Sequence, residues 1–278
     1  MPPLSIVRAA NAAYSPLRPP VAIFLGGTSG IGQGLAKTFA RYTKGDSHII
    51  MCGRNRAAAE AMITSLPKAK SSYSEFLACD ATSMKGVEAT TSNLLSRLPK
   101  VNFLFLSPGF LNFRGRNDTS EGIDKWLALT YYARWKFIYD LLPLLTKAKE
   151  AGEDARVLTV LGPGTGGRID LDDLGLKRKY SSVRAFITAP TYNDLMIESF
   201  AEREPGVSFT HVFPGIVRTP MLGRLLEVLL YPIGDGASRR NNKGDDMGKK
   251  RYYGSDESRK RLWEHTVQEV DRAKKSGV

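Results

Sequence analysis

The segment Val21–Phe39, VAIFLGGTSGIGQGLAKTF, constrains the fold of this chain more than any other part of the sequence. An apolar run ends at Gly26, and Gly30 and Gly32 follow before an amphipathic helix begins. Gly26 permits a tight turn, Gly30 lets the backbone approach a ligand, and Gly32 lets helix and strand pack closely. The unpaired N–H groups at the start of such a helix attract phosphate. This order of strand, glycine turn and helix predicts that the chain binds a dinucleotide.

Length and composition favour one large domain. The chain has 278 residues, 42% of them apolar, which is enough for a single extensive core. It contains no apolar run of the roughly 18 to 20 residues that span a bilayer, so we expect no membrane association. Residues 1–20 lack the unbroken apolar centre of a signal peptide, and they resemble a short amphipathic helix followed by a proline-rich connector. The two cysteines, at predicted strand ends, are expected to be reduced thiols, and the protein to be cytoplasmic.

The formal net charge of +12 raises the question of an anionic partner. Many of the basic residues lie near the C-terminus, but they form no aromatic-interleaved basic motif, and no nucleic-acid fold signature is present. We therefore expect no nucleic-acid partner. A solvated basic tail on a protein with a phosphorylated ligand accounts for the charge.

Alternating apolar strands and amphipathic helices predict an α/β fold, a Rossmann-like doubly wound parallel sheet in a single domain. After the first strand and helix, strands are predicted at His48–Cys52, Tyr73–Ala78, Val101–Leu106, Arg156–Leu161 and Val207–Val212. Helices are predicted at Arg56–Ser65, Gly86–Leu98, Gly122–Thr146, Pro190–Glu202 and Ser258–Lys274. The expected organisation is an N-terminal extension over 1–20, a nucleotide-binding domain with the substrate site over 21–233, and a polar basic C-terminal segment with a terminal helix over 234–278.

Four motifs in register resemble those of the short-chain dehydrogenase/reductase family over Val21–Pro220. LGGTSGIG is similar to the TGxxxGIG loop of that family, and CDAT contains Asp80 where the family has an acidic residue that binds the adenine amino group. SPG, at Ser107–Gly109, stands where the family has NAG. PGIVRTP, at Pro214–Pro220, resembles the PGxVxT segment, whose backbone and Thr219 hold the nicotinamide carboxamide.

The resemblance implies a set of cofactor-binding residues. They are Gly26, Thr28, Ser29, Gly30, Ile31, Gly32, Arg54, Asn55, Asp80, Ala81, Ser107, Gly109, Pro214, Gly215, Ile216, Val217 and Thr219. NAD-binding folds place an acid after the second strand, but this chain has Gly53 there and Arg54 next. A guanidinium at Arg54 can take the 2′-phosphate of NADP(H), which is therefore the predicted cofactor. Arg54 as an ordinary surface charge is the alternative.

The catalytic positions of the family, occupied there by Asn, Ser, Tyr and Lys, differ in this chain. Aligning AFITAPTYNDLMIESFAER with the YxxxK helix puts Phe186 at Tyr and Pro190 at Lys. The same register puts Gly162 at Ser and Thr130 near Asn, so the chain is identified as an atypical member. Pro190 is also typical of a helix start, with one of the two preceding residues as its cap.

Another tyrosine offers an alternative register. Tyr180 and Arg184 form YxxxR and would share a helix face. That choice leaves about fourteen residues more than usual before the PG turn. A third tyrosine, Tyr192, lies six residues beyond Phe186 and would point away from the helix face that carries Phe186 and Pro190.

A site without the proton donor is suited to an iminium, because hydride addition neutralises a carbon that is already cationic. Candidate catalytic residues are Thr130, Arg134 and Asn193, and no metal site is predicted. The pattern is similar to atypical fungal members of natural-product and alkaloid pathways. We expect an NADPH-dependent oxidoreductase acting on an imine, iminium or carbonyl of a small molecule. An NADP(H)-bound cyclase without net redox change and a non-catalytic NADP(H)-binding protein are the alternatives, and the resemblance leaves a homodimer or homotetramer open.

Overall fold

A seven-stranded parallel sheet forms the centre of the computed structural model, which describes residues 4–109, 115–215, 236–241 and 245–276. The strands are β1 (Val21–Leu25), β2 (His48–Gly53), β3 (Ser74–Ala78), β4 (Phe103–Leu106), β5 (Arg156–Val160), β6 (Ser208–Val212) and β7 (Gly236–Arg240). Their order in the sheet is β3-β2-β1-β4-β5-β6-β7, and every pairing is parallel. The direction of winding reverses between β1 and β4, which is where doubly wound sheets bind ligands.

Helices cover both faces of the sheet. They are α1 (Leu4–Ala12), α2 (Gly30–Tyr42), α3 (Arg56–Ser65), α4 (Met84–Arg97), α5 (Lys125–Leu127), α6 (Ala133–Glu150), α7 (Ser182–Arg203) and α8 (Asp256–Ser276). A π-helical turn, Ala128–Tyr132, joins α5 to α6. Along β1, Phe24 packs in the core under α2 and α3, whereas Ile23 and Leu25 pack in the core under α4, α6 and α7. The predicted Rossmann-like fold is confirmed.

The prediction that Pro190 starts a helix is wrong. Helix α7 begins eight residues earlier, at Ser182, and the hydroxyl of Ser181 caps it by accepting the N–H of Arg184 at 3.1 Å. Proline inside a helix removes one backbone hydrogen bond. The bond removed is the one to the carbonyl of Phe186, four residues earlier. The next carbonyl, that of Ile187, accepts the N–H of Gly167 at 3.1 Å, so the loop before α7 contacts the helix at this point.

The C-terminal segment is part of the fold rather than a solvated basic tail. Strand β7 pairs with β6 at the sheet edge, and the side chain of Arg239 in this strand is buried. Helix α8 packs against α7 and α4, and Thr266 lies 2.6 Å from the hydroxyl of Tyr131. Among the helices that the structure describes, none has both the length and the apolar character needed to cross a membrane.

Candidate functional site

A cleft of about 910 Å³ lies at the carboxyl ends of β1, β2 and β4, at the reversal point of the sheet. Predicted cofactor-binding residues form much of its wall, namely Gly26, Thr28, Ser29, Gly30, Ile31, Gly32, Arg54, Asn55, Ala81, Ser107 and Gly109. The wall also includes Pro108 and Leu129. The structure therefore brings together residues from five separate segments of the chain, as a binding site for one extended ligand requires.

The three glycines of the first motif differ in what surrounds them. Gly26 has a φ of +86°, and a Cβ there would lie 3.0 Å from the backbone nitrogen of Pro108. A Cβ on Gly32 would lie 2.4 Å from the carbonyl oxygen of Gly26 and 2.5 Å from Ser107 Oγ, so α2 packs against the strand ends only because this residue is glycine. Gly30, with a φ of +54°, has no atom within 4 Å of its Cβ position and faces open space.

The first turn of α2 presents unpaired backbone donors to the cleft. Ser29 is the N-cap with an extended backbone, and its hydroxyl makes no capping hydrogen bond. The first helical acceptor is the carbonyl of Ser29, which takes the N–H of Gln33 at 3.2 Å. The preceding N–H groups, which have no helical partner, and the positive end of the helix dipole suit a pyrophosphate. The residues present thus fit a dinucleotide.

Two arginines border the cleft beyond β2, and they differ in their partners. Arg56 pairs with Glu60 at 3.3 Å and lies 4.9 Å from the centre of the Phe76 ring. Arg54 is exposed and makes no ion pair or hydrogen bond within the described ranges. The side chain of Asn55 caps α3 by accepting the N–H of Ala58 at 2.9 Å. The guanidinium of Arg54 is therefore available to an anionic ligand.

Other predicted cofactor residues lie at or beyond the edge of this cleft. Asp80 Oδ1 accepts the N–H of Thr82 at 2.9 Å and its hydroxyl at 2.8 Å, so this carboxylate holds the turn after β3. Pro214 and Gly215 follow β6 and do not belong to the described wall of the cleft. Ile216, Val217 and Thr219 lie outside the described residues. The assignment of these residues to the cofactor stays a prediction.

Cys52 and Cys79 lie at the base of the cleft as free, buried thiols. Burial raises the pKa of the Cys79 thiol to about 11, and it also raises the pKa of Cys52. Both groups are therefore protonated near neutral pH, and a buried thiol of this kind is a poor nucleophile.

The three candidate catalytic residues come together around the hydroxyl of Thr159, at the end of β5. Thr159 Oγ1 accepts from Arg134 Nη1 at 2.6 Å and donates to Asn193 Oδ1 at 2.9 Å. The amide nitrogen of Asn193 donates to the carbonyl of Thr130 at 2.8 Å, and the Thr130 hydroxyl donates to the carbonyl of Trp126 at 2.7 Å. All three are buried, and none lines the cleft. Their catalytic role stays a prediction, and this geometry favours a positioning role.

Arg134 joins two strand ends to the π-helical turn. Its Nη1 donates to the carbonyl of Val160 at 2.9 Å, its Nη2 to that of Pro108 at 2.8 Å, and its Nε to that of Leu129 at 3.3 Å. In the described part of the chain no carboxylate lies within ion-pair distance of it, and burial lowers its pKa to about 9. Hydrogen bonds to carbonyl oxygens stabilise this unpaired cation.

The tyrosines near α7 have partners away from the cleft. Tyr192 is buried, and its hydroxyl donates to the carbonyl of Leu174 at 2.8 Å. Tyr180 precedes α7, so it does not share a helix face with Arg184, and burial beside Asp124 raises its pKa to about 12. At the position that the resemblance assigns to tyrosine, Phe186 is half-exposed and stacks on Trp126.

One cluster was not foreseen from the sequence. His211 on β6 contacts Asp194 on α7, and Asp194 in turn pairs with Arg239 on β7. All three residues are buried. A signal for this cluster was present, because His211 interrupts the apolar strand VSFTHVF, and a polar group in a buried strand requires a partner.

Comparison with known proteins places these features in a family. The short chain dehydrogenase family model matches residues 20–161. Oxidoreductase AN1596 of Emericella nidulans is 40% identical over 220 residues, which are 78% of this chain and 64% of that protein. Oxidoreductase andH of Emericella variicolor is 33% identical over 230 residues, 81% of this chain and 66% of that protein. The chain thus spans about two thirds of the length of these relatives.

Solved structures share the fold at low sequence identity. A crystal structure of an uncharacterized protein from Mycobacterium paratuberculosis has a TM-score of 0.76 at 18% identity and covers 94% of this chain and 97% of its own. An NADPH-bound carbonyl reductase from chicken fatty liver has a TM-score of 0.61 at 18% identity, and the match covers 84% of this chain and 100% of the reductase. The NADH-dependent reductase A1-R′, complexed with NAD, also has a TM-score of 0.61, at 17% identity, covering 81% and 96%. With the family model matching half of its length, the chain belongs to the short chain dehydrogenase family.

Proposed function

We propose that this chain is an NADPH-dependent reductase whose substrate carbon is already cationic, as in an iminium. The nucleotide end of the cleft supports the cofactor. The open N-terminus of α2 suits the pyrophosphate, and the unpaired guanidinium of Arg54 suits a 2′-phosphate. Two relatives carry the name oxidoreductase, and solved proteins of this fold bind NAD or NADPH.

One observation carries the choice of substrate. The resemblance assigns Phe186 and Pro190 to the positions that the family gives to its tyrosine and lysine, and the Tyr192 hydroxyl donates to the backbone carbonyl of Leu174. A neutral carbonyl develops alkoxide charge as hydride adds, so a site without a donor beside that oxygen favours it poorly. An iminium carbon needs no proton at this step.

The balance of the reaction is simple. NADPH, when bound, supplies a hydride whose electron pair forms the new C–H bond, while the C=N⁺ π electrons move to nitrogen and NADP⁺ remains. The residues of this chain have two tasks: Arg54 and the first turn of α2 hold the nucleotide, and Arg134 fixes the backbone of Pro108 and Leu129 at the other end of the cleft.

The test compares two bicyclic electrophiles of similar shape, N-methyl-3,4-dihydroisoquinolinium and 1-tetralone, each supplied with NADPH. We expect loss of NADPH absorbance with the iminium, an iminium rate that does not fall as an enzyme group deprotonates, and at least about 100-fold slower reduction of the ketone. Comparable rates, with the ketone rate falling as one enzyme group deprotonates, would show that a proton donor is present. Product formed from an amine and an aldehyde without loss of NADPH would instead support the ring-forming alternative.

A further inference from the structure

A buried chain of three side chains ends on the backbone of the loop that follows β5. The N–H of Gly162 donates to Nε2 of His211 at 3.0 Å, and His211 Nδ1 lies 2.7 Å from Asp194 Oδ1. Asp194 Oδ2 lies 2.9 Å from Arg239 Nη2. His211 is fully buried, and Asp194 and Arg239 are nearly so. These three side chains therefore link α7, β6 and β7 to one backbone amide.

The hydrogen bonds fix the protonation state of the imidazole. Because Nε2 accepts the Gly162 N–H, the ring proton resides on Nδ1 and donates to Asp194. The charged groups around His211 are Asp194 from α7, Arg134 from α6 and Arg239 from β7. Arg239 pairs with the side chain of Asp194, and the contact between Asp194 and Nδ1 orients the imidazole ring.

The loop that contains this amide follows β5 beside the cleft wall at Pro108. Arg134 binds the carbonyl of Val160 and that of Pro108 with one guanidinium, so the exit of β5 is adjacent to the wall at Pro108. Past Val160 the loop depends on Gly162, whose carbonyl accepts the Thr165 hydroxyl at 2.8 Å. Movement of the Gly162 amide would therefore shift this loop beside the cleft.

We propose that His211 and Asp194 are positioning residues that hold the Gly162 amide, and with it the loop at 162–165, in the conformation that substrate turnover requires. The effect on turnover rests on the proposed reductase function, whereas the effect on the loop does not. Arg239 connects His211 and Asp194 to the C-terminal segment, because it supplies the cation that pairs with Asp194. Protonation of His211 puts a hydrogen on Nε2, opposite the Gly162 N–H, and so breaks the hydrogen bond between His211 and Gly162.

The experiment compares His211→Phe with His211→Gln in the full chain. Phenylalanine removes the acceptor for the Gly162 N–H, whereas the glutamine carbonyl oxygen can replace it. Amide hydrogen exchange by NMR should show Gly162 exchanging about tenfold faster in the Phe variant and near the wild-type rate in the Gln variant, with Ile23 in β1 as the internal reference. Equal protection of Gly162 in the wild type and the Phe variant would overturn the proposal.

Turnover supplies the second measurement, with NADPH and N-methyl-3,4-dihydroisoquinolinium. His211→Phe should lower kcat about tenfold and leave the Kd of NADPH within about twofold, since the nucleotide end lies on β1 and β2. Wild-type kcat should fall at acidic pH, and His211→Gln should abolish that fall. An unchanged kcat and pH profile in the Phe variant would contradict the positioning role. No turnover by the wild type would contradict only the reductase proposal, because the exchange measurement still tests the loop.

Discussion

Arg134 Nη2 lies 2.8 Å from the carbonyl oxygen of Pro108, so a buried guanidinium on α6 fixes the backbone immediately after β4. Replacement by methionine removes a costly buried charge but takes the guanidinium donors away from the carbonyls of Pro108, Val160 and Leu129. Each unsatisfied acceptor costs about 1 to 3 kcal/mol, which exceeds the gain from removing the charge. We expect Arg134→Met to lower the free energy of unfolding by about 2 to 4 kcal/mol, measured by urea denaturation.

The matched control is Arg41→Met, because Arg41 is an exposed arginine in the last turn of α2. A surface change of this kind alters stability by less than about 0.5 kcal/mol. If Arg134→Met were as stable as Arg41→Met, the carbonyl contacts of Arg134 would contribute nothing to the fold.

Gly30 allows a test of the phosphate site that separates strain from contact. Gly30 and Gly152 both have positive φ and open space at the Cβ position, but only Gly30 lines the cleft. Alanine at either position should therefore destabilise the fold by a similar amount, about 1 kcal/mol. Only Gly30→Ala should weaken NADPH binding, by about tenfold or more, because its methyl group would occupy open space in the cleft, where the first turn of α2 is proposed to hold the pyrophosphate. Isothermal titration calorimetry measures the NADPH affinity of both variants, and urea denaturation measures their stability. Equal NADPH affinities for the two variants would show that the glycine loop is not part of the binding site.

Arg54 and Arg56 form a second matched pair, for cofactor choice. Both line the cleft, but Arg56 is already paired with Glu60. Loss of a charge-assisted contact to a 2′-phosphate costs about 1.5 to 3 kcal/mol, so Arg54→Ala should weaken NADPH binding about tenfold or more. NADH has no such phosphate, and its Kd should change less than about twofold. Arg56→Ala should affect neither nucleotide strongly. Equal losses for NADPH and NADH in Arg54→Ala would contradict the assignment.

The sequence was sufficient to predict the sheet and the glycine turn, because their signals are local. Buried parallel strands are largely apolar runs, as β1, β2 and β4 are, and β1 to β6 all lie at or within a residue or two of the predicted positions. The glycine turn required only that Gly26 and Gly32 be followed by a helix, and the contacts around both agree with that interpretation. These features depend on residues close together in the chain.

Features that depend on distant contacts could not be predicted. Pro190 lies inside α7, which begins eight residues earlier, and a separate loop contacts the helix near this residue through the N–H of Gly167. Strand β7, GASRR, has no apolar alternation, and it is held by pairing with β6 and by the contact between Arg239 and Asp194. Local propensity indicated a helix start in the first case and an irregular tail in the second, and tertiary contacts overrode both.

Acid stability provides a prediction whose sign follows from the histidines. The chain has three, His48, His211 and His265, and burial lowers the pKa of each below 6.5 in the folded state. As pH falls below about 6.5, the unfolded chain therefore binds protons first, and the free energy of unfolding decreases. Carboxylates with lowered pKa, such as Glu269, contribute their loss only at lower pH, near their ordinary value of 4.5.

Fully buried His211 should contribute the largest share of this acid loss, because a second N–H on its ring would oppose that of Gly162. We expect His211→Gln to flatten the decrease in the urea midpoint between about pH 6.5 and pH 5, at constant ionic strength. His48→Gln is the matched control, because His48 is only partly buried, and it should leave most of the slope in place. If wild type and His211→Gln lost stability in parallel over this range, His211 would not be the group that titrates, and the cause would lie with His265 beside Tyr132.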